Sequence, residues 1–148
     1  MSMKLHLAAG AACVGLLVSG AAALADDHAY TEGGLVNVAY IRTEYGKFDE
    51  YMKYVDTTWK AEQEAAKKAG NITGYKVIMI EPRTENDPDV VLVIYLKNWA
   101  ALDGSTAKND AIFKQVEGSV AASSQGATDR NKIRRILGSW TGQELLLK

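Results

Sequence analysis

Between Asp89 and Trp99 the chain reads Val-Val-Leu-Val-Ile-Tyr-Leu-Lys-Asn. Side chains along a strand alternate between two faces, and here both alternations are apolar. The run therefore predicts a strand covered on both faces and flanked by other strands. It leaves the core at Lys97-Asn98 and delivers Trp99 to the point where strand gives way to Ala100-Ala101-Leu102-Asp103-Gly104.

Leu35-Val-Asn-Val-Ala-Tyr-Ile-Arg42 predicts a first strand, with Val36, Val38, Tyr40 and Arg42 on one face and Leu35, Asn37, Ala39 and Ile41 on the other. Thr43-Glu-Tyr-Gly46 then turns the chain into a long helix, roughly residues 47–69. Phe48, Tyr51, Met52, Val55, Trp59, Glu62, Ala66 and Ala69 recur along it at steps of three and four. Gly70-Asn71 supplies residue types that end helices. Ile72 to Ile80 reads as a second strand interrupted by Gly74, and a polar connection bracketed by Pro82 and Pro88 leads into the central strand. After Trp99, Ser105-Thr106 offers an N-cap for a second helix to about Val120, with Ala111, Ile112, Val116 and Val120 as a narrower stripe. Residues 121–131, rich in Ser, Gly and Thr, read as a mobile loop. Lys132 to Leu137 reads as a fourth strand broken by Gly138, with Trp140 to Lys148 extending it or adding an edge strand.

The order strand, helix, strand, strand, helix, strand predicts an α+β, ferredoxin-like βαββαβ fold: a four-stranded antiparallel sheet with two helices on one face. The other face would carry Val, Tyr, Leu or Ile at alternate positions of several strands. That is too apolar to leave in water, and a partner sheet is the simplest cover.

The first residues have a different purpose. Lys4 precedes an apolar stretch from Leu5 to Ala23, and Ala23-Leu24-Ala25 has the small-x-small form of a signal peptidase site before Asp26. The expected division is a cleaved signal peptide at 1–25, a flexible leader at 26–33 and a folded domain at 34–148. The mature protein would be periplasmic or secreted, with no membrane attachment. Cys13, the single cysteine, lies inside the signal, so the mature chain has no disulfide, thiol nucleophile or thiolate metal site. Without Lys4, the 17 basic residues fall to 16 against 18 acidic ones, and this balance gives no electrostatic reason to expect nucleic acid as a partner.

Several motifs together resemble the dimeric α/β-barrel superfamily, and in particular its antibiotic-biosynthesis-monooxygenase branch. These are the first strand ending at Arg42 with Gly46-Lys47-Phe48 opening a helix, the re-entry Gly70-Asn-Ile-Thr-Gly-Tyr-Lys-Val77, and Tyr95-Leu-Lys-Asn-Trp99 followed by a helix. The resemblance implies a homodimer whose sheets close into a barrel, with a small-molecule cavity between sheet and helices in each subunit. It implies that Trp99 and Asn37 are site residues. Some members oxidise electron-rich aromatic rings without metal or flavin; others degrade haem, bind pigments or have no known activity. The haem-degrading members use a His on the helix after the Trp, whereas this chain has no histidine between Ala29 and Lys148, so an axial imidazole from the barrel is missing.

A cofactor-independent oxygenase needs a base, apolar walls and donors for a developing oxyanion. Trp59, Tyr75 and Trp99 supply walls and donors, although Trp59 also reads simply as core. The base is not evident. Glu62 on the apolar stripe reads first as a stripe-edge carboxylate reaching water, and becomes a base only if burial raises its pKa. His28, third after the expected cleavage point, completes an amine, amide and imidazole pattern that suits Cu(II) or Ni(II), a pattern any third-position His creates. No metal or cofactor site is expected in the domain. Three readings follow: an exported protein holding a small apolar or aromatic molecule, with Asn37, Trp59, Tyr75 and Trp99 as ligand-binding residues and no assigned catalytic residue; a cofactor-independent monooxygenase acting on an aromatic substrate; and a structural dimer whose cavity is filled by its own side chains.

Overall fold

In the computed structural model, which describes residues 28–148, the apolar run forms strand β3 (Val90–Leu96) with antiparallel partners on both sides. These partners are β1 (Tyr30–Thr43) and β2 (Gly74–Met79), and β4 (Arg134–Leu147) joins the far side of β1 to give the order β2-β3-β1-β4. Val90, Val91, Leu92, Val93 and Leu96 are all buried, as an interior strand with two apolar faces should be. This is the predicted four-stranded antiparallel sheet. The signal segment at 1–25, with Cys13, and the expected Asp26 terminus lie outside the described residues.

Register assigns the faces. Leu35, Asn37, Ala39 and Ile41 of β1 stand opposite Leu96, Ile94, Leu92 and Val90 of β3, and this face packs on the helix formed by residues 48–68. That helix, α1, is continuous but not uniform. Phe48–Tyr54 and Lys60–Lys68 are α-helical, and a wider π turn, Val55–Trp59, joins them. Thr57 Oγ1 donates to the Lys53 carbonyl at 2.7 Å, and such back-bonding competes with the regular ladder. Tyr51, Val55 and Trp59 meet Ile41, Val90 and Leu92 in the main core. The opposite sheet face holds a second cluster, Val38, Val91 and Val93 with Val36, Tyr40 and Tyr95 around it, which contains no helix residue.

Three expectations need correction. The first strand begins at Tyr30 and not Leu35: Tyr30, Thr31 and Glu32 pair with Leu147, Leu146 and Leu145, so part of the supposed flexible leader is strand. The same pairing accounts for the apolar C-terminus. The last strand runs unbroken through Gly138, with irregularities in its register that absorb the extra residues. Residues 121–131 are largely not a loop either. Helix α2 (Ser105–Glu117) ends at Gly118, whose φ of 84° suits glycine, and a further helix, α3 (Val120–Arg130), follows at once.

Ser119 starts α3 by accepting a hydrogen bond from Ala122 N at 3.0 Å. Ser119→Ala is expected to lower stability by about 1 kcal/mol, the usual worth of such a cap. A denaturation midpoint identical to wild type would show that α3 does not depend on it.

Candidate functional site

The helices leave a cavity of about 400 Å³ over one part of the sheet. From the sheet come Asn37, Ile94 and Leu96. Helix α1 contributes Glu62, Gln63 and Ala66; the turn after it contributes Asn71 and Ile72; and Ala101 to Phe113 close the far side. The volume falls in the range of small-molecule sites, and the wall mixes apolar side chains with polar ones that can orient a ligand. A wider cleft of about 750 Å³ opens at the other end of the sheet. Three of the charged residues in it are already partnered: Asp89 accepts from Thr43 N at 3.0 Å, and Arg135 pairs with Glu44 at 3.3 Å, whereas the smaller cavity lies between sheet and helices and is the more enclosed. We therefore place the site in the smaller cavity.

Of the four residues singled out in the sequence, Asn37 alone lines this cavity. Its amide donates to Thr141 Oγ1 at 2.8 Å, which fixes its orientation across β1 and β4. Trp59 is buried in the main core and meets Tyr75 edge-on, with ring centroids 5.3 Å apart. Tyr75 donates its hydroxyl to Glu64 Oε1 at 2.5 Å. Trp99 lies on a short 3-10 turn, Trp99–Leu102, is half exposed, and donates its indole N–H to Gln143 Oε1 at 3.0 Å. The structure does not bring Trp59, Tyr75 and Trp99 to the cavity that Asn37 faces.

It brings Glu62 and Gln63 there instead. Both are more than nine-tenths buried, at 7% and 8% exposure. Glu62 is not a stripe-edge residue reaching water. Burial first, then a hydrogen bond to Glu117 and the negative charge of Glu117, raise its carboxyl to about 8, with the Arg130 guanidinium pulling the other way. A proton kept on Glu62 supplies a donor to Glu117, whose Oε1 is buried without a hydrogen bond from any fixed donor. Behind the pair, Arg130 stacks its guanidinium 4.1 Å from the centre of the Tyr54 ring. Gly126 makes this possible, because a Cβ there would stand 3.0 Å from the guanidinium and 3.5 Å from Glu117 Oε2. A buried acid titrating near pH 8 at a cavity wall keeps its proton at neutral pH and can give it up or take it back there.

No family model and no curated protein matches the sequence. Solved structures do. HapK from Hahella chejuensis superposes with a TM-score of 0.50 at 13% identity, over 74% of this chain and 91% of that one. A dimeric ferredoxin-like protein from an uncultured marine organism gives a TM-score of 0.51 at 8% identity, over 79% of this chain and 90% of its own. At such identities the likeness is one of fold, and the fold is ferredoxin-like.

Proposed function

We propose that this is an exported small-molecule-binding protein of the dimeric α/β-barrel type. It holds an apolar or aromatic molecule between sheet and helices, and two copies cover each other's bare sheet faces. The observation that carries the reading is the 400 Å³ cavity with Asn37 on its sheet side and Ile72, Ile94, Leu96, Ile112 and Phe113 as apolar wall. The dimeric state of one ferredoxin-like neighbour supports the homodimer. The apolar stretch before Asp26 supports export to the periplasm or medium.

The test is a calorimetric screen of aromatic molecules against the processed protein. Asn37→Ala is expected to weaken the best ligand about five- to thirtyfold, the loss of one buried hydrogen bond. Trp99→Phe, at a residue that is not part of the cavity wall, should leave that affinity within about twofold. Loss on Trp99→Phe with none on Asn37→Ala would move the site to the other end of the turn.

Glu62 favours a second reading. It is the base that a cofactor-independent monooxygenase of the antibiotic-biosynthesis type would need. Oxygen uptake with quinols or anthrones that falls about a hundredfold or more in Glu62→Gln would establish that activity. Binding of the same compounds without uptake would leave the protein a binder.

A further inference from the structure

Glu62 on α1 and Glu117 on α2 are carboxyls in contact, and the Arg130 guanidinium on α3, stacked on the Tyr54 ring, acts on Glu62 through its charge and not through an ion pair. A single positive charge stands near two carboxyls. The second carboxyl stays neutral in the empty site only by keeping a proton, because an unpaired buried carboxylate is strongly disfavoured. The other groups around Glu62 do not supply a second cation. Tyr54 on α1 is neutral and itself held above its ordinary range, by burial first and by the charge of Glu62 next. Asn37 on the sheet does not titrate. Lys108 on α2 lines the cavity and keeps its charge while donating to the Ala101 carbonyl at 2.9 Å, but it is not among the groups that act on the Glu62 carboxyl.

Gln63 points to a ligand independently. It is 8% exposed, lines the cavity, and makes no side-chain hydrogen bond among the described residues. Its amide, open to the cavity, faces the same space as Glu62 and is available to a ligand there. No group of three or more His, Cys, Asp or Glu that could hold a metal ion occurs among the described residues.

We infer that the cavity takes a ligand carrying a protonated amine, whose ammonium replaces the proton on Glu62 and bonds to the Gln63 amide oxygen, while its apolar body lies on Ile94, Ile112 and Phe113. The inference rests on the binding role proposed above and names the chemical class of the ligand. Binding then releases one proton to solvent: the O–H bond of Glu62 breaks, and the ammonium meets the carboxylate left behind. Since Glu62 titrates near pH 8 in the empty site, a cationic ligand must displace a proton at neutral pH, and its affinity must rise with pH up to that value. A neutral ligand of the same shape displaces nothing.

Calorimetry with 2-phenylethylamine and its neutral counterpart 2-phenylethanol, in buffers of different ionisation enthalpy, separates the possibilities. The amine is expected to bind at least about tenfold tighter than the alcohol at pH 7.5 and to release close to one proton at pH 7. Its affinity should rise by nearly tenfold per pH unit between pH 6 and pH 7. In Glu62→Gln the amine is expected to bind no tighter than the alcohol and to release no proton. The proton count on the unaltered protein decides the matter even if that variant does not fold. Equal binding of amine and alcohol with no proton release would overturn the inference and leave the binding role standing. Binding of neither would overturn both.

Discussion

Between pH 5.5 and pH 7.5 the protein is expected to lose stability on the order of 3 kcal/mol, and Glu62→Gln is expected to abolish that loss. Burial, then contact with Glu117, raises the Glu62 carboxyl from 4.5 to about 8 in the folded chain. A raised folded-state value means that the folded protein keeps a proton the unfolded chain has given up. The stabilisation is therefore complete below about pH 4.5, declines as pH rises towards 8, and then levels. The other shifted groups act outside this window. Asp87 and Asp129 are held below their ordinary range, by backbone hydrogen bonds and by Lys132 respectively, so what they contribute is lost only in acid. Tyr51 and Tyr54 are held above theirs by burial and matter only in strong alkali. Gln keeps the size of the side chain and an N–H that can donate to Glu117, without a proton to lose. Thermal melts should show the wild-type midpoint falling by about 10 °C across the window, with the variant nearly flat and the more stable of the two at pH 7.5. Parallel curves would mean that Glu62 is ionised and well solvated in the fold.

The same residue shows where reading a sequence succeeds and where it stops. β3 was legible because seven consecutive apolar residues have few other uses, and α1 because Tyr51, Val55 and Trp59 recur at helical spacing and are buried. Gly70 ended that helix with a positive φ, as its residue type suggested. α3 was not legible, since it has no apolar stripe: its buried residue is Ser123, and its packing depends on the small Gly126 leaving room for Arg130. The length of β4 was hidden by Gly138 and Gly142, which suggest breaks. In the fold, Gly142 leaves space for the Trp140 ring, which would stand 3.0 Å from a Cβ there. Strand parity put Asn37 on one face with Leu35, Ala39 and Ile41, and only the family resemblance singled it out for a site. The environment of Glu62 could not be read from its position in a stripe, because Glu117 and Arg130, which act on its carboxyl, are brought by two helices more than fifty residues further along the chain.

Val93→Glu or Val38→Glu is expected to turn a homodimer into a monomer. Both valines lie at the centre of the sheet face that no helix covers, with Val36, Tyr40, Val91 and Tyr95 around them. Towards the edges the surface stays apolar: Ile78 is 45% exposed and Trp140 is 48% exposed, its indole N–H held by the Tyr40 hydroxyl at 3.2 Å. Two such faces packed roughly 10 Å apart would bury these side chains as the two sheets of a sandwich bury theirs. A symmetric interface places the substituted residue in both copies, and an unpaired buried carboxylate costs about 3–5 kcal/mol. The dimer would thus lose on the order of 6–10 kcal/mol, a weakening of more than about ten-thousandfold, which at micromolar concentration leaves monomer. Val38 and Val93 are themselves only 5% and 6% exposed in the single chain, so Ile78→Glu, 45% exposed and paired with Val91 on the same face, is the companion variant that should give a folded monomer. Tyr45→Glu, at a fully exposed position outside both apolar clusters, serves as the control and should sediment as wild type does. If Val93→Glu remains a dimer, the copies must meet elsewhere, through the exposed edge strand at Met79 or the terminal Leu145 to Leu147, and the valine-floored face would need a different cover.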